Sequence, residues 1–248
     1  MVESVDYKNS GDHALVVEFK NEISKETNKK VRALSYLLGN EPINGILETV
    51  PTYRSLMIHY DPLVINQKAL ILELKKKEEK MDALKLPPPM ITEIPTLYGG
   101  EYGPDLVDVA NHAGMTEEEV VKIHASVEYL IYMLGFTPGF PYLGGMDPRI
   151  AAPRLENPRK IIKGGSVGIA DTQTGIYSLD SPGGWKLIGW TPVSLFDPEA
   201  MHPFLLKAGD YIKFQPIDQD EFEHLQRELQ AGKVPWKTYP GKTEKGSI

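Results

Sequence analysis

No cysteine occurs anywhere in the 248 residues, which excludes a disulfide framework, a thiolate zinc site and a cysteine nucleophile together. A chain without thiols fits a reducing compartment, and a cytoplasmic location is expected. No run is apolar for the length that a membrane span needs, and residues Met1 to Lys20 mix charges with short apolar stretches rather than following signal-peptide order. Histidine is scarce. The six, at 13, 59, 112, 124, 202 and 224, form no H-x-H or H-E-x-x-H pair, so no metal site is expected. Positive charge is also short: a net charge of −7 opposes the phosphate backbone, and no nucleic-acid partner is expected. No G-x-x-x-x-G-K-[ST] occurs, which argues against autonomous ATP hydrolysis.

What is present divides at Leu86 to Met90 (LPPPM), where three prolines in a row cannot continue a helix. Residues 1–86 read as a small α/β domain: a strand at His13 to Phe19, a helix through Val31 and Leu38 ending at Gly39, strands at Ile43 to Val50 and Tyr53 to Tyr60, and a helix opened by Asn66. Helices on one face of an antiparallel sheet suit that order. Residues 87–92 form the linker. Residues 93–236 begin with a strand at Thr92 to Tyr98 and two short helices, Asp105 to His112 and Glu117 to Ala125, with Thr116 and Glu119 as a capping box. From Gly135 to Pro198 stand eleven of the 22 glycines and eight of the 20 prolines. Short strands separated by tight turns, at Ile161-Ile162, Val167 to Ala170, Ile176 to Leu179 and Val193 to Phe196, predict a closed barrel or sandwich. A further strand, Tyr211 to Pro216, and a helix from Asp218 follow, and the tail 237–248 is expected to be disordered.

Several local motifs have competing readings. Asp105 to Ala125 has helix-turn-helix spacing, but its second helix opens on Glu117-Glu118-Glu119, which phosphates would repel; two packed structural helices are the better reading. Gly164-Gly165-Ser166-Val167-Gly168 matches G-x-S-x-G, yet no helix follows Ser166, so a glycine-lined bend between strands is preferred to a nucleophile elbow. Arg149, Arg154, Arg159, Lys160 and Lys163 cluster among stiffening prolines. They read equally as a solvated rim or as guanidinium forks for a carboxylate or phosphate. Trp185 and Trp190 either fill the barrel or wall a pocket. His124, just before the strand Tyr129 to Leu134, is a hydrogen-bonded helix-end histidine or a neighbour of the site.

Six ordered runs carry a resemblance: Tyr98 to Asp105 (YGGEYGPD), Met133 to Gly145 (MLGFTPGFPYLGG), Pro153-Arg154, Gly165 to Ala170 (GSVGIA), Gln173 to Tyr177 (QTGIY), and Ser181 to Trp185 (SPGGW) with Ile188-Gly189. Together they resemble the KipI family, also called allophanate hydrolase subunit 1 or the 5-oxoprolinase B subunit. The resemblance implies a ferredoxin-like N-terminal domain followed by a cyclophilin-like β-barrel. It implies an ATP-coupled hydrolase complex that opens 5-oxoproline to glutamate, with ATP a co-substrate handled elsewhere in the assembly. The implied partners are a larger allophanate hydrolase subunit 2-type protein and a LamB/YcsF-type protein; the alternatives are the family's other role, inhibition of a sensor histidine kinase, and a related amidohydrolase or urea-type subunit acting on another substrate. On this reading Arg154, Lys163, Asp171 and His124 are the candidate catalytic residues. Thr174, Arg159, Ser181, Trp185 and Trp190 are the candidate substrate contacts. Lys163, Asp171 and Trp190 depart from the residues usual in the family.

Overall fold

The structure, a computed structural model, describes residues 5–234 and 236–241. It divides into two compact units, one running to Pro88 and the other spanning Pro89–Gly241.

In the first unit, β1 (Asp6–Asn9), β2 (Ala14–Glu18), β3 (Ile46–Pro51) and β4 (Ser55–Tyr60) form an antiparallel sheet in the order β1-β2-β4-β3. Alternation along the strands puts Leu15, Val17, Leu56, Ile58 and Tyr60 on one face. There they meet Val31, Leu34 and Leu38 of α1 (Lys25–Asn40) and Leu70 and Leu74 of α2 (Gln67–Met81). Ser24 starts α1 by accepting the Thr27 N–H. The helix does not stop at Gly39 as expected. It continues to Asn40 because the Glu41 N–H still reaches the Leu37 carbonyl. A ferredoxin-like βαββαβ unit closes with a strand after its second helix. Here β1, at the start of the chain, takes the sheet edge beside β2, so the order β-α-β-β-α is present without that closing strand.

In the second unit seven strands follow one path: β10 (Gln173–Ile176), β9 (Ser166–Ala170), β12 (Lys186–Trp190), β5 (Met90–Tyr98), β13 (Tyr211–Ile217), β6 (Glu128–Leu134) and β7 (Pro141–Gly144). β7 returns alongside β10, so the sheet nearly closes, as a cyclophilin-like barrel would. Its interior is filled by inward residues of successive strands, among them Ile94, Tyr129, Ile131, Val167, Ile169, Ile176, Ile188 and Phe214. Two helices, α3 (Leu106–Ala113) and α4 (Glu117–Ala125), add Leu106, Val109, Ala110 and Val120 to the same core. The Thr116/Glu119 capping box is formed, and Gly114, in the left-handed region, ends α3. The short ribbon β8 (Arg159–Ile162) and β11 (Ser181–Gly183) pairs separately from the barrel sheet. α5 (Gln219–Gln230) packs Phe222 and Leu225 against Ile217 and, with them, Trp190 and Tyr102.

Four sequence expectations change here. The strand expected at Ile176 to Leu179 lies instead at Gln173–Ile176, where it pairs with β9. Met90 to Thr92 belong to β5 rather than to a linker, because Ile91 and Thr92 pair with β13 and with a last strand, β14 (Thr238–Pro240). The same pairing orders Thr238 to Pro240 of the supposed tail; residues 242–248 lie outside the described residues. Val193 to Phe196 contributes a single bridge, Phe196 to Phe204, and no strand. Among the described residues no helix is long and apolar enough to cross a membrane.

Candidate functional site

Alternation along β10 decides which of the candidate residues can meet. Thr174 points into the barrel, while Gly175 faces outward beneath the rings of Trp185 and Phe140. The candidates therefore sort onto opposite faces of one sheet.

On the inner face His124 is fully buried. Its Nδ1 lies 2.8 Å from the Tyr98 hydroxyl and its Nε2 lies 2.8 Å from Thr174 Oγ1. Thr174 spends its own proton on the Gly168 carbonyl at 3.0 Å, so it must accept from Nε2–H, and Nδ1 must accept from Tyr98. This fixes a neutral Nε2–H tautomer. Burial holds the ring to about 3, far below an ordinary histidine. Phe214 stacks on it at 4.4 Å, and the Tyr129 hydroxyl donates to its backbone carbonyl. His124 and Thr174 thus form an interior polar network rather than part of a solvent-facing site.

On the outer face Trp185, Phe140 and Tyr177 form a buried aromatic cluster with edge-to-face contacts of 5.7, 5.7 and 6.2 Å. The Arg154 guanidinium sits 6.0 Å above the Trp185 ring, within cation–π reach, and its Nε approaches Asp171 at 3.4 Å. Both members of that pair are exposed, so the guanidinium is free to exchange Asp171 for another anion. Asp171 is held by a two-way backbone pairing with Ala152, in a turn where its φ is 53°. Arg159 is more firmly committed. It donates to the buried Asp105 at 2.8 Å, and the other Asp105 oxygen accepts the Leu187 N–H at 2.7 Å. Burial raises the Tyr177 hydroxyl, and a backbone hydrogen bond from Trp185 and the charges of Arg154 and Arg159 oppose that rise.

The remaining candidates lie apart from this cluster or have structural partners. Lys163 is exposed and pairs with Asp180 at 2.6 Å, the second Asp180 oxygen accepting the Gly164 N–H. The Trp190 indole donates to the Gly164 carbonyl at 2.8 Å and packs on Phe222 and Tyr102. Gly165 explains the glycine pair: at φ 90°, a Cβ there would lie 2.4 Å from the Thr191 carbonyl and 2.8 Å from the Trp190 ring. Ser166 opens β9, so the strand-to-bend reading of G-x-S-x-G holds. The Ser181 hydroxyl is buried without a hydrogen-bond partner among the described residues. The cationic cluster is dispersed, since Arg149 is taken by Asp147 at 2.6 Å.

Asp105, Tyr177 and the loop Gly135 to Phe140 lie within the runs that carry the resemblance but are not among the candidate site residues. Phe136 there has φ 63°, and it and Asp171 are the two non-glycine residues with positive φ among the described residues. A contact chain joins them: Phe136 to Phe140 at 5.6 Å, Phe140 to Trp185, Trp185 to Arg154, and Arg154 to Asp171. Backbone strain gathers at functional sites because surrounding structure must hold it there. The geometry offers a small acid an exchangeable cation at Arg154, backed by the buried Trp185 ring. Among the described residues no cluster of His, Asp or Glu could hold a metal ion. A separate groove, lined among others by Tyr98, Leu106, Glu117, Glu118, Lys122 and Pro216, contains none of the candidate site residues.

Comparison with known proteins bears on this geometry. Residues 5–206 match the family model of the carboxyltransferase domain, subdomain C and D. The chain is 42% identical to the 5-oxoprolinase B subunit of Bacillus subtilis (strain 168) over 228 residues, covering 88% of this chain and 95% of that protein. It is 40% identical to the 5-oxoprolinase B subunit of Escherichia coli O157:H7 over 210 residues, covering 83% and 93%. The crystal structure of TTHA0988 superimposes with a TM-score of 0.72 at 38% identity, and the match covers 83% of this chain but 39% of that one. The chain belongs to the carboxyltransferase-domain family of subdomains C and D, and within it to the family of the 5-oxoprolinase B subunits.

Proposed function

We propose that this chain is the B subunit of an ATP-dependent 5-oxoprolinase. The observation that carries the reading is the 42% identity to a 5-oxoprolinase B subunit across nearly the full length of both proteins. The reaction adds water across the lactam C–N bond of 5-oxoproline and yields L-glutamate. It proceeds in a cytoplasmic complex with the larger allophanate hydrolase subunit 2-type protein and a LamB/YcsF-type protein. A ferredoxin-like N-terminal unit and a cyclophilin-like barrel belong to the same reading.

The outer face of β9 and β10 supports it. Arg154 is an exposed guanidinium whose partner Asp171 can be exchanged, which suits the substrate carboxylate. The buried Trp185 ring backs the Arg154 guanidinium with a flat apolar surface. Arg159 and the buried Asp105 hold the Trp185 and Leu187 backbone and so position that surface. Asp171 is the group placed to orient Arg154 or to receive a proton. Gly164-Gly165 leads into a strand rather than a helix N-terminus, so these residues do not suit a nucleotide triphosphate, and ATP is assigned to another member of the complex. The test is to co-express the chain with both partners and to follow glutamate and ADP formation against 5-oxoproline concentration. An assembled complex that opens no lactam would sink the reading.

A further inference from the structure

Phe136 combines two costly features: a bulky side chain at positive φ, and 66% exposure of an apolar ring. The loop that presents it is pinned rather than free. Gly139, at φ 78°, lies so close to the wall below that a Cβ would come within 2.9 Å of Phe196 Cβ, and Thr137 hydrogen-bonds Ser178. Phe196 in turn stacks on Phe204, which is 49% exposed, in the same loop as Met201, 91% exposed. Phe136 is thus tied through Phe140 to the Trp185 and Arg154 cluster, and its loop rests through Gly139 on the Phe196 and Phe204 pair, with Met201 three residues before Phe204 along the chain. The acidic side chains of Asp197 and Glu199 border them, and neither forms an ion pair among the described residues. A rigid aromatic anchor with an apolar surround and a charged rim is the anatomy of a protein interface.

We propose that this surface docks a second polypeptide whose contacting face is an apolar pocket ringed by basic side chains, with Phe136 as the anchor. The occupant is the larger partner of the functional reading above, chosen by charge complementarity to Asp197 and Glu199; TTHA0988, of which this chain covers 39%, has further chain beyond the matched part. The acidic rim selects a basic partner face, and the position beside the candidate site places that partner where it can complete it. The assignment rests on the functional reading above and adds to it the surface used.

The test titrates the purified larger partner into the full chain by calorimetry. Glycine tolerates positive φ, so Phe136→Gly removes the ring while relieving the backbone. Its Tm is expected to hold or rise while Kd increases at least tenfold, and Glu199→Lys should weaken binding more at low salt than at high salt. Leu63→Ala, at a 94% exposed residue of the other unit, should leave Kd unchanged. Wild-type binding with Phe136→Gly within twofold of it overturns the surface and leaves the functional reading standing. No wild-type binding overturns both the occupant and the functional reading. Self-association lost in Phe136→Gly, measured by sedimentation equilibrium, would assign the patch to a second copy and overturn the proposal.

Discussion

His124 Nε2 donates to Thr174 Oγ1 across 2.8 Å in the barrel interior, joining the end of α4 to β10. The histidine can make this bond and accept from Tyr98 only while neutral, which gives the fold a defined response to acid.

The folded ring titrates at about 3 and the unfolded one near 6.5. Between those values the unfolded chain binds the extra proton, so the contribution is fully present above about pH 6.5 and is lost as pH falls toward 3. The slope from this one group reaches about 1.4 kcal/mol per pH unit. Urea denaturation at pH 7.5, 6 and 5 should show the decline, and His124→Gln should flatten it while starting from lower stability. An unchanged slope in the variant would show that other groups cause it.

Arg154→Ala should raise KM for 5-oxoproline at least tenfold in the assembled complex and leave Tm within a degree or two. An exposed pair such as Arg154 with Asp171 contributes only about 0–1 kcal/mol to folding. A Tm drop without a KM change would make Arg154 structural.

Trp190→Ala should do the reverse. Its ring packs on Phe222 and Tyr102 and its indole caps the Gly164 carbonyl, so truncation should cost about 2–4 kcal/mol and leave KM unaltered. Denaturant midpoints together with steady-state kinetics decide it.

Gly165→Ala brings Cβ against the Thr191 backbone, which has no rotamer to yield. A loss of at least about 2 kcal/mol is expected, from contact and positive φ together. Lys163→Ala, by contrast, opens an exposed pair with Asp180 and should change stability by less than about 0.5 kcal/mol. Thermal melts of the two variants side by side provide the comparison.

The sequence was most legible where one local rule governs. The Thr116 capping box, the helices from Lys25 and Gln67 and the strand over Val167 to Ala170 formed because cap chemistry and apolar spacing agreed there. β12 and β14 escaped notice because Lys186 to Trp190 and Thr238 to Pro240 become strands only through pairing with distant β5 or β9. The site was legible in residue type but not in side. Arg154, Asp171 and Trp185 do meet, whereas His124 and Thr174 lie on the inner face, because a one-residue step along β10 reverses direction. Lys163 and Trp190, close in sequence to that cluster, are held by Asp180 and by the Gly164 carbonyl. The Phe136 loop stood out in sequence only by its glycines, proline and place in the run Met133 to Gly145, and its role rests on a backbone angle that composition does not encode.

β14 lies antiparallel to the first residues of β5, and the Gly241 N–H bonds the Pro89 carbonyl at 2.7 Å. Chain entry and exit of the barrel unit are thus stitched together at one point, like the two ends of a closed purse string. Such a unit can be spliced into a host polypeptide, or given new termini at a surface turn, with little distortion of its strands. A version opened at the Asp171-Thr172 turn, with Gly241 joined to Pro89 by a short linker, should therefore still fold.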